Sequence, residues 1–167
     1  MFRLTLRLGG IAILITFFVG CSGSSLKPSG DDADIRELFT SFQDAMKAKD
    51  GKKVWNLLDA DSQADAERAG EAIRAEFNKD LPEEKAALAK KLGLSVQAAG
   101  AMSGLDFINS TRFMGKYDEI PESKLDKITV TGDKATIEYI EDDGDHQKIQ
   151  LNRQNGQWKL SLVMPRG

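Results

Sequence analysis

The feature that most constrains the fold of this chain is a change of hydrophobic period. Through Ile108 the apolar residues recur at helical spacing; from Lys127 they alternate two by two. Ile35, Leu38, Phe39, Phe42, Ala45 and Met46 fall on one helical face. Asp34 with Glu37 has the form of a capping box opening that helix, and Gly51 is a candidate stop. Val54, Trp55, Leu57 and Leu58 suit a second, short helix. Ser62 with Asp65 offers a cap for a third, carrying Ala66, Ala69, Ile73 and Phe77. Pro82 suits a first helical turn, in a helix through Leu88 and Leu92 that Gly93 ends. Ser95, and Ser103 with Asp106, cap two shorter ones. The stretch 66–102 is rich in alanine and poor in large side chains, so it has helix propensity and little area to bury. It is the natural place for an exposed docking patch.

The second half reads as four strands. Ile128 and Val130 alternate with polar residues before Gly132-Asp133. Ala135, Ile137 and Tyr139 form the next apolar set, before the acidic turn Asp142–Asp145. Ile149 and Leu151 lead to the hairpin signal Asn155-Gly156, and Trp158, Leu160 and Leu162 complete the series. Four strands with short turns and one apolar face make an antiparallel meander. The helices must cover that face, which gives an α+β fold.

The chain has 167 residues, 41% hydrophobic and 29% charged, with a net charge of −3. This composition excludes a collagen, a disordered acidic tail and a polytopic membrane protein, and it lacks the basic excess of a nucleic-acid binder. One cysteine excludes an internal disulfide, and one histidine excludes a multi-histidine metal site.

The first residues have a separate logic. Arg3 and Arg7 precede an apolar run from Ile11 to Val19, then come Gly20, Cys21 and a Ser/Gly-rich stretch. That is the order of a secretory signal, and the run is too short to span a bilayer. Ser22 to Ala33, with Pro28, Gly30 and Asp31-Asp32, reads as a flexible tether. The expected division is 1–20 signal, 21–33 linker and 34–167 folded domain. Phe18-Val19-Gly20-Cys21 resembles the lipobox of bacterial lipoproteins, with Phe18 where the family has Leu or another aliphatic residue. The resemblance implies cleavage between Gly20 and Cys21, a diacylglycerol thioether and an added acyl chain such as palmitate on Cys21. It also implies a place in the cell envelope. Ser22 after the cysteine points, in that family, to the outer membrane facing the periplasm. The same residues also fit an ordinary signal with an incidental cysteine, or an uncleaved anchor. Cleavage takes Arg3 and Arg7 from the 23 basic residues, against 26 acidic ones, and so moves the net charge from −3 to −5. Such a chain gains nothing from anionic headgroups; two or more acyl chains, at about 0.8 kcal/mol per buried methylene, would hold it.

The run Ala48-Lys-Asp50-Gly51 with Val54-Trp-Asn-Leu-Leu58 and the segments Val130–Ile137 and Leu151–Leu160 carry a further resemblance. They are similar to the nuclear-transport-factor-two-like superfamily, in particular its small bacterial lipoprotein members. The likeness covers 34–60 and 125–163 and implies helices packed on a curved, cone-like sheet that encloses a pocket. Arg112 to Tyr117 is the one candidate for the family's early strand. Candidate pocket residues on this reading are Phe39, Phe42, Trp55, Tyr139 and Trp158, although the aromatic face of the first helix and Tyr139 suit plain core better than a cavity lining.

Catalytic signals are weak. Gly115-Lys116 lacks the upstream glycine of a phosphate-binding loop, and the sole thiol is committed to lipid. His146 lies at a turn, a poor place for an oriented base. The acidic run Glu141–Asp145 suits a solvated turn better than a calcium loop. Tyr139 near a carboxyl such as Asp106 is the one physical route to acid–base chemistry, of the isomerase or dehydratase type found in the superfamily. The expectation is a non-catalytic binding or accessory protein without metal or cofactor. Its partner would be a small apolar ligand or another envelope protein.

Overall fold

The computed structural model describes residues 30–79 and 81–165. Among them are seven α-helices: α1 (Asp31–Lys47), α2 (Gly51–Leu57), α3 (Ala60–Phe77), α4 (Pro82–Leu92), α5 (Val96–Gly100), α6 (Gly104–Asn109) and α7 (Thr111–Lys116). A 3₁₀ turn, Ile120–Glu122, leads into strands β1 (Lys124–Thr131), β2 (Lys134–Ile140), β3 (His146–Gln154) and β4 (Gln157–Ser161). The strands form one antiparallel meander in the order β1-β2-β3-β4. The α+β expectation thus holds. Cys21, Gly20 and the signal lie outside the described residues.

One face of the sheet is apolar because period two places Ala135, Ile137, Tyr139, Ile149, Leu151, Trp158 and Leu160 on it, all buried. Helix α1 contributes Ile35, Phe39, Phe42 and Met46 to the same core. Burial of each such side chain is worth about 1.5–3 kcal/mol, so this helix face is a large share of the stability. The core runs from Ile35 to Leu162. A chain of residues 30–167 therefore retains every core side chain.

Several elements start or stop elsewhere than their local signals indicate. Helix α1 begins at Asp31, with Gly30 as its extended cap, and not at Asp34. Asp31, Asp32 and Asp34 in its first turn suit the positive helix end. Asp31 is also fixed from outside: Arg153 donates to its carboxylate at 2.5 Å and Trp158 Nε1 at 3.4 Å. The three residues 31–33 thus belong to the helix and not to a tether. At the other end Lys49 takes the left-handed conformation (φ 52°), while Gly51, expected as the stop, is the first residue of α2. A Cβ on Gly51 would run into the Asn109 side chain, which would have to swing aside. Helix α3 is capped by Asp59, whose Oδ1 accepts from the Ser62 amide at 2.7 Å, and not by Ser62.

Arg112 to Tyr117 is not a strand: residues 111–116 form α7, with Ser110 as its cap. Strand β1 starts at Lys124, three residues before the readable alternation. A register irregularity between Leu125 and Lys127 hides its beginning, because the extra residue breaks the two-residue period. As the edge strand it buries little, and Val130, expected on the apolar face, is exposed. The caps at Ser95 and Ser103–Asp106, the first-turn Pro82 and the left-handed stop at Gly93 (φ 70°) stand where the sequence places them.

Candidate functional site

The site is built on helix α3. Asp61, Asp65, Arg68, Ala69, Ala72, Ile73 and Glu76 recur at three- and four-residue spacing, so they share one side of the helix. From Asp61 to Glu76 that side runs about 22 Å at 1.5 Å per residue. Opposite it lie Phe107 of α6, Arg112 of α7, and the end of the chain from Ser161 to Pro165. Between them is a cleft of about 660 Å³. Such a volume is within the range of small-molecule sites.

The cleft exists because β4 stops at Ser161 and the chain turns away along α3. Strand β3 continues beyond it: Gln150 pairs with Ser161, and His146 to Ile149 have no partner on that side. The departing segment is held at two points. The Leu162 amide donates to Ser62 Oγ at 2.9 Å, and the Tyr117 hydroxyl donates to the Val163 carbonyl at 2.8 Å. The base of the cleft is apolar and rigid, with Ile73, Phe107 and Leu162 all buried. Ala69 and Ala72 leave room above it because their side chains stop at Cβ.

Close packing of α3 on α6 sets the cleft's depth. A Cβ on Gly70 would come within 2.8 Å of the Ser103 carbonyl oxygen, and one on Gly104 within 2.8 Å of the Glu67 amide nitrogen. Two glycines facing each other's helices let the backbones approach, and the Gly104 amide donates to Glu67 Oε2 at 2.8 Å. This brings Phe107 beneath the groove.

Charge in the cleft is unevenly satisfied. Arg68 pairs with Asp65 one turn earlier on the same helix. Asp61 and Glu76 sit exposed at the two ends. Arg112 is half-buried in the wall and, among the described residues, makes no ion pair.

A smaller cavity of about 210 Å³ lies on the other side of residues 161–163, against Tyr117, Tyr139 and Ile149. Burial pushes the Tyr117 phenol up to about 12, and burial with the nearby Glu141 charge pushes Tyr139 up as well. Both tyrosines are neutral phenols at physiological pH. Nearby, Glu119, Glu141 and Asp143 each bring a carboxylate oxygen within 4.8 Å of the others. Desolvation, and then the charges of Asp143 and Glu141, raise the Glu119 pKa. The acidic run of the sequence therefore gains a third partner from a distant segment.

The five residues proposed from the sequence to line a pocket are placed otherwise. Phe39, Phe42, Tyr139 and Trp158 belong to the buried core, and Trp55 packs half-buried against it. Phe39 packs tilted against Tyr139 with ring centres 5.7 Å apart, and Phe42 meets Tyr117 edge to face at 6.2 Å, so aromatic rings fill the space under the sheet. Of the five, Tyr139 lines the smaller of these two cavities and none lines the cleft. Asp106 is occupied in the capping box of α6, accepting from the hydroxyl of the cap residue Ser103 at 2.7 Å and from its amide at 3.0 Å. Neither it nor Tyr139 lines the cleft. His146 is exposed at the start of β3.

The residues that do line the cleft left a partial trace. The spacing of Ala69 and Ile73 was legible, and the alanine-rich stretch that begins at Ala66 marked α3 as a surface with room. Arg112 left none, because its position depends on the turn from α6 into α7. No protein-family model, curated protein or solved structure matches this chain.

Proposed function

We propose that this protein is a lipid-anchored, periplasm-facing binding or accessory protein that takes its ligand in the cleft between α3 and the end of β4. The observation that carries the binding reading is the cleft itself: about 660 Å³ with an apolar base and a few polar groups converging on it. The anchor is lipid on Cys21 after cleavage behind Gly20, and a short tether then enters the domain at Gly30. Membership of the nuclear-transport-factor-two-like superfamily belongs to the same reading. It is supported by α1 lying on an antiparallel meander, and its pocket is moved from under the sheet to the side of α3.

The arrangement suits an anchored binder. The chain enters beside Arg153 and Trp158, where Asp31 is held at 2.5 Å by Arg153, and the Arg153 guanidinium stacks 4.3 Å from the Trp158 ring. The cleft opens at Ser161, the other end of β4.

The test is native mass spectrometry of residues 30–167 isolated from cells. The expected result is a reproducible added mass, lost on denaturation and missing from the folded Ala72→Trp variant, in which an indole fills the cleft. A clean unliganded mass, together with no binding of amphipathic probes in solution, overturns the reading.

A further inference from the structure

We infer that the cleft selects an amphipathic anion, a long-chain carboxylate or phosphate ester, with its apolar chain on the α3 groove and its charged head on Arg112. The inference rests on the binding reading above and names its ligand class.

Three observations converge. The lining residues of α3, Asp61 to Glu76, run about 22 Å along the helix, room for an extended chain. The groove's base, Ile73, Phe107 and Leu162, is apolar, and the buried Ser62 beside it spends its hydroxyl on the Leu162 backbone, so the part of a ligand that lies there is apolar. Arg112 stands in the opposite wall, half-buried and without an ion pair among the described residues. A planar guanidinium in that state presents a fork of donors suited to two oxygens of one anionic group.

The other charges do not compete on equal terms. Arg68 has its carboxylate partner in Asp65. Asp61 and Glu76 are exposed at the ends of the groove, where water and salt screen them. The half-buried charge, screened least, dominates the choice of head group. Asp61 and Glu76 instead disfavour a second negative charge at the ends of the groove, so the ligand is an anion at one position and apolar along its length.

The experiment titrates residues 30–167, by calorimetry below the micellar threshold, with dodecanoate, dodecyl phosphate, dodecanol and dodecyltrimethylammonium. The expected result is at least about tenfold tighter binding of an anion than of the alcohol. Arg112→Gln should remove that preference while leaving the alcohol's affinity within about twofold and the melting temperature unchanged. Tighter binding of dodecanoate identifies a free fatty-acid head, and tighter binding of dodecyl phosphate identifies a phosphorylated lipid. Equal affinity for alcohol and anion, or a preference for the ammonium compound, overturns the anion inference and leaves the cleft reading standing. Binding that Ala72→Trp does not weaken, or no binding of any of the four, overturns both.

Discussion

Asn152 donates its side-chain amide to the Asp59 carboxylate at 2.7 Å, joining strand β3 to the α2–α3 junction. Asp59 is completely buried. Its other oxygen caps α3 through the Ser62 amide, and its own amide donates to Leu160 on β4 at 2.8 Å. One residue thus fixes the start of the cleft helix relative to two strands. Asp59→Ala should cost about 2–3 kcal/mol, since it strands a buried donor and removes a helix cap together. Asp59→Asn, which keeps an acceptor oxygen, should cost less. Urea denaturation of the two variants measures the difference; equal losses would mean that the charge, and not the acceptor geometry, holds the junction.

Gly70 and Gly115 make opposite predictions. A Cβ at Gly70 meets the Ser103 carbonyl at 2.8 Å, and backbone cannot step aside as a flexible side chain can. Gly70→Ala should destabilise by about 1–3 kcal/mol and push α6, with Phe107, away from α3. Gly115, inside α7, has nothing within 4 Å of the same position, so Gly115→Ala should stabilise by about 0.5–1 kcal/mol. Thermal melting of both variants checks the pair.

The Tyr117 phenol supplies a pH dependence. Its ordinary value is 10 and burial raises it to about 12 in the folded protein. The unfolded chain therefore releases this proton first as pH rises. The contribution to stability is complete below pH 10 and is lost between 10 and about 12. Tyrosinate absorbance should stay low until the protein unfolds or pH approaches 12. Tyr117→Phe removes the donor to the Val163 carbonyl and should cost about 0.5–1.5 kcal/mol. It should also quicken amide exchange at residues 163 and 164, on the cleft wall; unchanged exchange would show that Ser62 alone holds the segment.

The proposed anchor has a direct reading. The protein should incorporate labelled palmitate, and Cys21→Ser should abolish that incorporation. A protein that takes up no label, or a Cys21→Ser variant that takes it up undiminished, overturns the lipid anchor.

Local chemistry accounts for the caps at Ser95 and Ser103, the stop at Gly93 and the alternation of Ala135, Ile137 and Tyr139 on β2. In each, the deciding groups lie within a few residues of one another. The start of α1 at Asp31 is of another kind: its carboxylate is taken by Arg153, more than a hundred residues away. Gly51 likewise lies against a distant residue, Asn109, and opens a helix where its local signal suggested a stop.

The amino-acid sequence by itself determined the fold class, because hydrophobic period is a property of neighbouring residues and helices must cover the apolar face of a meander. It also determined that aromatic residues of α1 would face the sheet. Only the tertiary structure decided that the open space lies beside α3. Rings stacked on rings leave no void, whereas Ala69 and Ala72 facing a strand that ends early do. Arg112 joined that space for the same reason: its place depends on how α6 and α7 pack against α3, which no local run of residues encodes.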